Sequence, residues 1–275
     1  MKINEVGVRC PVTISPLAST DDAIRLMWEY DVRHLLAVDR EGLVGIVTDT
    51  DLLESVGMLT RAERQTIGTS LCLEEIIVAD IMDTECPRVH LDDEVTEAAA
   101  SMAHTQRPAL PVVEGCRLMG VLTDNDLLEL FAGVCWLDRG SPHGEPVSNY
   151  SSQVLRTVGP FDKLSTACAK LAQGQIRYLP VVDGERFVGL VSDWDIRTAI
   201  ADHPSGSWQN LPVAECMRTG TQTLRPTDSL LCAAEVMRME GLTALPIATR
   251  EGRLVGMITG SDLLRAFAGE PVLHA

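Results

Sequence analysis

Basic residues are scarce in this 275-residue chain: 23 Lys and Arg stand against 39 Asp and Glu, a formal net charge of −16. Such a field repels polyanions, so duplex nucleic acid and anionic lipid are not expected partners. A small nucleotide is not excluded, because a few arginines in a cleft outweigh a diffuse field screened over about 8 to 10 Å. Lysine is nearly missing, with only Lys2, Lys163 and Lys170, and no G-K-[ST] phosphate loop can be formed. The chain also lacks G-x-S-x-G, H-E-x-x-H and G-x-G-x-x-G, and acids scattered through helix caps are not a general acid/base pair. The expectation is a protein that is not an enzyme and carries no catalytic cofactor.

Long apolar runs are absent too. The nearest is the stretch Phe131 to Leu137, far short of the roughly 20 residues of a membrane helix, and residues 1–10 lack a signal peptide's apolar core. A cytoplasmic protein without membrane insertion is expected. The eight cysteines, at 10, 72, 86, 116, 135, 168, 216 and 232, contain no C-x-x-C clasp, so they are expected to be reduced core residues. His90, His104, His143 and His203 show no metal-ligand spacing, and no metal site is expected.

What the chain does have is repetition. With 45% hydrophobic residues it can bury a core, and its length suits one large or two small domains. One segment occurs four times: LVGIVTDTDLL at 43–53, LMGVLTDNDLL at 118–128, FVGLVSDWDIR at 187–197 and LVGMITGSDLL at 254–264. Their glycines, Gly45, Gly120, Gly189 and Gly256, are separated by 75, 69 and 67 residues. The register extends upstream without gaps, superposing Leu36 on Pro111 and Pro180. The fourth copy holds an offset of 210 as far as Pro246 and 211 from Gly256 onward, which puts one inserted residue in the turn at Thr249 to Arg253.

Within a copy the hydrophobic period changes. Asp228 to Met239 shows helical spacing behind the capping candidates Thr227 and Asp228, whereas YLPVVDGERFVGLVS reads as strand, turn and strand with Asp183-Gly184 at the turn. Each unit is therefore strand, helix, strand, strand, helix, of about 60 residues, too small to bury much surface alone, so units must pack together. VADIM (78–82) and VAECM (213–217) precede the second and fourth copies, while the first and third have INEVG (3–7) and VSNYS (147–151) and lack that signature. The expected organisation is repeat 1 at 1–60, a connecting segment at 61–77, repeat 2 at 78–132, a Gly- and Pro-rich linker at 133–146, repeat 3 at 147–203, a connecting segment at 204–212 and repeat 4 at 213–275.

These residues resemble the cystathionine β-synthase (CBS) domain, in four copies over almost the whole chain, and each pair resembles a Bateman module. The resemblance implies an α+β fold of four βαββα repeats, arranged as two pseudo-twofold pairs packed sheet to sheet. It implies clefts that bind adenosine-containing ligands such as AMP, ADP, ATP (with or without magnesium) or S-adenosylmethionine. It also implies a flat arrangement of four repeats, made within one chain or by two chains as a homodimer.

The family's ligand motif is glycine, two or three apolar residues, Thr or Ser, two variable residues, then Asp. On this sequence its hydroxyls fall at Thr48, Thr123, Ser192 and Thr259, and its ribose carboxylates at Asp51, Asp126, Asp195 and Asp262. An ionised carboxylate can accept from both ribose hydroxyls, and the hydroxyl with free amides at the helix N-terminus suits a phosphate. The same pattern is also an ordinary helix cap, and the two roles are compatible. The family's basic position ahead of the hairpin is supplied by Arg33 with His34, by Arg107 and by Arg177, as phosphate partners or as plain surface charges; the fourth copy has Thr243. The copies depart from the pattern at Leu36, at Gly260 and at Trp194, which can stack on a base or fill the cleft.

The expected function is a sensor of adenine nucleotide that signals to a regulated protein by conformational change. A ligand-free scaffold, or a binder of S-adenosylmethionine or cyclic dinucleotides, is the alternative.

Overall fold

The computed structural model describes residues 1–6, 10–30, 32–49, 51–52, 76–105, 107–115, 117–133, 144–153, 155–174, 176–203 and 207–269. Most of the segments 61–77 and 133–146, together with Cys72, Cys116, Cys135 and His143, lie outside the described residues.

Each repeat follows the expected order behind a leading helical turn. In the first, the turn Ile3–Val6 precedes strand β1 (Thr13–Ile14), helix Thr20–Tyr30, strands β2 (His34–Val38) and β3 (Leu43–Thr48), and a helical start at Asp49. The second has the turn Val78–Ile81, β4 (Val89–His90), helix Val95–Thr105, β5 (Ala109–Glu114), β6 (Arg117–Thr123) and helix Asp124–Gly133. In the third and fourth, the first strand shrinks to a single parallel bridge, Val158 to Val181 and Leu224 to Ile247. The third continues with helix Leu164–Gly174, β7 (Tyr178–Asp183), β8 (Arg186–Ser192) and helix Asp193–Asp202. The fourth has helix Leu230–Glu240, β9 (Ala244–Ala248), β10 (Leu254–Thr259) and helix Gly260–Phe267.

Every hairpin pairs antiparallel, with its glycine at the same place: Ala37 opposite Gly45, Val112 opposite Gly120, Val181 opposite Gly189 and Ile247 opposite Gly256. The register shifts directly beyond each glycine, which is a β-bulge. The extra residue of the fourth copy is taken up in the turn, where Thr249 N–H donates to Arg253 O at 2.9 Å and Gly252 sits at φ 83°.

The copies interlock in pairs. Thr20 N–H donates to Ile76 O, Val78 N–H to Ala18 O and Ala79 N–H to Pro16 O, so the turn leading into repeat 2 docks on the helix start of repeat 1. The reciprocal set, Val95 to Met1, Ile3 to Asp93 and Asn4 to Leu91, docks the turn of repeat 1 on repeat 2. Repeats 3 and 4 make the same two sets: Leu164 to Leu211, Val213 to Asp162 and Ala214 to Pro160, then Leu230 to Glu145, Val147 to Asp228 and Ser148 to Pro226. This exchange is the pseudo-twofold relation within each pair. The first and third repeats thus possess the same leading turn as the second and fourth, although their sequences lack the signature.

The compact units are Met1–Asp124 and Asn125–Ala275. In the first, Leu36, Leu43 and Ile46 of repeat 1 share a core with Cys86, Ala109, Val113 and Val121 of repeat 2. In the second, Tyr178 and Leu190 of repeat 3 join the core of repeat 4. Two sheets that are apolar on one face are thereby buried against each other. Helix Asp124–Gly133, read from sequence as the end of repeat 2, gives Leu128 and Phe131 to that second core, and Phe131 meets Phe267 edge to face at 5.2 Å.

Two local expectations change. The cap of helix Leu230–Glu240 is Ser229, whose Oγ accepts from Cys232 N–H at 3.1 Å; Asp228 instead closes the preceding turn by accepting from Arg225 N–H at 2.8 Å. Among the described cysteines only Cys86 is fully buried, Cys168, Cys216 and Cys232 are half-buried, and Cys10 is exposed; all are free thiols.

Candidate functional site

The Thr/Ser-x-x-Asp turns stand where the second hairpin strand becomes a helix. In repeat 1, Asp51 Oδ2 accepts from both the amide and the hydroxyl of Thr48 at 2.7 Å, and Asp51 N–H donates back to Thr48 Oγ1 at 3.3 Å. Ser192 and Asp195 repeat this in the third copy, with the amide contact at 2.8 Å. Thr259 and Asp262 repeat it in the fourth, at 2.8 and 2.7 Å. In the second copy Thr123 ends β6 and Asp126 lies in the first turn of the next helix.

The capping role is therefore real in three copies, and it uses one carboxylate oxygen. Oδ2 of Asp51, Asp195 and Asp262 takes both local donors, leaving Oδ1 outside the cap. For Asp195 that second oxygen has a neighbour: Arg218 Nε lies 3.6 Å from it. Both residues line a cavity of about 390 Å³, together with Trp194, Thr198, Ala199, Asp202, His203, Leu211, Glu215 and Cys216.

Arg218 is held there by backbone pairing. Its N–H donates to Leu190 O at 2.8 Å and its carbonyl accepts from Leu190 N–H at 3.0 Å, so the segment leading into repeat 4 crosses strand β8 of repeat 3. Asp83 crosses Ile46 in the first pair, and Ser152 crosses Met257 in the reverse direction of the second. The sequence reading missed Arg218; the available signal was its position, directly after the VAECM signature.

The basic candidates are placed as follows. The carbonyl of Arg33 accepts from Asp49 N–H at 2.9 Å and that of Arg177 from Asp193 N–H at 3.0 Å, so both backbones abut the hydroxyl turn. Pro108 and Thr243 do the same in the other two copies. His34 begins β2 opposite Thr48. Arg107 pairs with Asp83 at 2.8 Å, both largely covered. The free amides expected at the turn are not found in the third copy. Ser192 donates to Asp195, Asp193 to Arg177 O, Trp194 to Asp193 Oδ1 at 2.9 Å, and Asp195 to Ser192 Oγ at 3.2 Å.

Burial raises the Cys216 thiol pKa, and the carboxylates of Glu215, Asp195 and Asp202 add to the effect. The thiol therefore stays protonated at neutral pH and is a weak nucleophile. Among the described residues no group of His, Cys, Asp and Glu is arranged to hold a metal ion.

Burial also pushes the Asp262 carboxyl above the usual aspartate range, against the opposing hydrogen bonds from Thr259 and the charge of Arg265. Stability from a group raised in the folded state is complete below its unfolded pKa, about 4, and is lost as pH rises through the raised value. Asp262→Asn removes that loss. The urea midpoint of the variant relative to the wild type is expected to climb as pH rises from about 4 into the neutral range; a pH-independent difference would contradict this.

Comparison with known proteins agrees with the fold. Protein MJ1225 of Methanocaldococcus jannaschii is 24% identical over 274 residues, covering 94% of this chain and 95% of that one. A 33.4 kDa protein of the ribosomal RNA operon of Thermofilum pendens is 24% identical over 281 residues, covering 96% and 91%. The crystal structure of MJ1225 superposes with a TM-score of 0.82 at 21% identity, over 97% of this chain and 100% of that one. A conserved protein from Pyrococcus horikoshii gives a TM-score of 0.69 at 22% identity, over 97% and 100%. No described helix is long and apolar enough to cross a membrane. The CBS domain model matches residues 3–58, 78–133, 147–202 and 213–269, and the chain belongs to the CBS domain family.

Proposed function

We infer that this chain is a non-catalytic regulatory protein of the cytoplasm that binds an adenosine-containing ligand, of the AMP, ADP or ATP class, between paired repeats. The bound state is passed to another protein through rearrangement of a pair. The observation that carries the reading is the division of labour at Asp195: Oδ2 holds the turn, while Oδ1 lies beside Arg218 in a cavity of ligand size. A cap alone needs only the first oxygen. The interlocking of the pair supplies the coupling, because Arg218 belongs to repeat 4 by sequence but lies on the site of repeat 3. A ligand that binds one arrangement of the pair more tightly shifts the pair toward it, tenfold for each 1.4 kcal/mol or so of preference.

The test is a thermal-shift screen of AMP, ADP, ATP with and without magnesium, and S-adenosylmethionine, on protein stripped of carried-over ligand. A ligand at 100 times its dissociation constant adds about 2.7 kcal/mol, a rise on the order of 5 to 10 °C for a module of this size. A flat response to every compound would favour the ligand-free scaffold.

A further inference from the structure

We propose that the turn of repeat 4 is a relay that ties the Ser192–Asp195 turn of repeat 3 to helix Asp124–Gly133 of repeat 2, so that a disturbance at either end is felt at the other. The relay rests on the ligand-binding reading only for its purpose, which is to carry the state of the Ser192–Asp195 turn beyond its own pair; the contacts that form it need no ligand.

The first link is Tyr178. It opens β7 opposite Ser192 and follows Arg177, whose carbonyl accepts from Asp193 N–H at 3.0 Å. Its buried side chain places the hydroxyl 3.0 Å from Thr243 Oγ1 of repeat 4. Thr243 makes the second link, because its carbonyl accepts at 2.8 Å from the N–H of Gly260, the first residue of helix Gly260–Phe267. The third link is packing. A Cβ on Gly260 would stand 3.4 Å from Leu128 Cδ1, so the helix of repeat 2 lies directly over this residue, and nearer the helix ends Phe131 meets Phe267 edge to face. Helix Asp124–Gly133 itself starts at the repeat 2 turn, where Asp124 N–H donates to Pro108 O at 2.8 Å.

Contiguity alone is not coupling, but the residues chosen for these links differ from those of the other copies. The positions equivalent to Tyr178 hold His34, Ala109 and Ala244, those equivalent to Thr243 hold Arg33, Pro108 and Arg177, and those equivalent to Gly260 hold Asp49, Asp124 and Asp193. Thr243 and Gly260, two departures of the fourth copy from the ligand pattern, are thus the residues that receive Tyr178 and Leu128. An aspartate at 260 would suit the helix start, as it does in the other copies, but its carboxylate would be buried against Leu128. Copies 2 and 4 also share D-L-L-x-x-F-A-G at 126–133 and 262–269, whereas copies 1 and 3 read DLLESVGM and DIRTAIAD there and have no ring to interlock. Close-packed contacts of this kind shift together rather than deform one at a time.

The experiment is hydrogen exchange of the full chain, read by mass spectrometry with no ligand added. Tyr178→Phe removes one hydroxyl and keeps the ring, and Phe131→Leu shortens the far contact. Each alone is expected to speed exchange severalfold both at residues 192–195 and at residues 127–133. In the double variant, residues 192–195 should exchange no faster than in Tyr178→Phe, because the broken link no longer passes on the change at Phe131. Tyr150→Phe, which removes a hydroxyl bond to Glu145 outside the relay, should leave both segments as in the wild type. Gly260→Asp replaces Phe131→Leu if that variant fails to fold, with Gly260→Ala, whose Cβ makes ordinary contact, as its control. Faster exchange confined to the substituted end, or changes at 192–195 that simply add in the double variant, would overturn the relay and leave the ligand-binding reading standing. A flat thermal-shift screen would do the reverse, since the exchange pattern is read without ligand.

Discussion

Gly189→Ala is expected to lower the stability of the second unit by about 1 to 3 kcal/mol, the usual cost of overpacking, which corresponds to a drop in Tm on the order of 5 to 10 °C. A Cβ there would stand 2.9 Å from Arg218 O and 2.8 Å from Met217 Sδ. The methionine can swing aside, but the carbonyl cannot, because Leu190 N–H holds it at 3.0 Å. The whole crossing segment must retreat from β8, carrying Arg218 away from Asp195. Thermal and urea unfolding followed by circular dichroism measure the loss, and ligand affinity should fall with it. Gly256→Ala is the internal comparison: its Cβ would meet Ser151 Oγ and Ser152 O at 3.3 Å, tight but short of a clash, so a smaller effect is expected. Equal stability of Gly189→Ala and wild type would show that the crossing segment is not the constraint that fixes this glycine.

The same contact explains how much of the fold could be read in advance. Gap-free registers at offsets of 75 and 144 from the first copy revealed the repeat, and the single change of offset in the fourth copy located the extra residue that the register of Ile247 opposite Gly256 displays. What misled was treating VADIM and VAECM as absent from the other copies. The turn needs a buried aliphatic, and Ile3, Val78, Val147 and Val213 are each fully buried. It also needs backbone hydrogen bonds, which any side chain permits. Met217 covers Gly189, and Ser151, standing at the equivalent place, covers Gly256. The identities differ because the gap to be filled differs. In the candidate site, the hydroxyl and carboxylate positions were legible because a cap has a fixed spacing. The closed amides of residues 192 to 195 were not, since they depend on where Arg177 O and the Asp193 side chain come to lie. Nor was Arg218, whose approach to Asp195 is created by chain crossing between repeats rather than by any local pattern.

Asp195→Asn separates the two uses of this carboxylate. The amide oxygen can still accept from the Ser192 amide and hydroxyl, so the turn should survive and stability should change by less than about 1 kcal/mol, the usual worth of a cap. The amide nitrogen that replaces Oδ1 cannot accept from ribose hydroxyls, and the negative charge that strengthened those bonds is gone. A charge-assisted hydrogen bond contributes about 1.5 to 3 kcal/mol, so affinity at this site should fall roughly ten- to a hundredfold. Arg218 loses its partner at 3.6 Å in the same step, which frees a cation toward the cavity and should relieve part of the loss for anionic ligands. Asp195→Ala, by contrast, removes cap and ribose acceptor together, and both stability and affinity should drop. Calorimetry and urea unfolding on the pair of variants distinguish the roles. Affinity falling in both variants, with stability falling only in Asp195→Ala, assigns Oδ1 to the ligand. Affinity unchanged in Asp195→Asn would reduce Asp195 to a helix cap and remove the observation on which the ligand-binding reading stands.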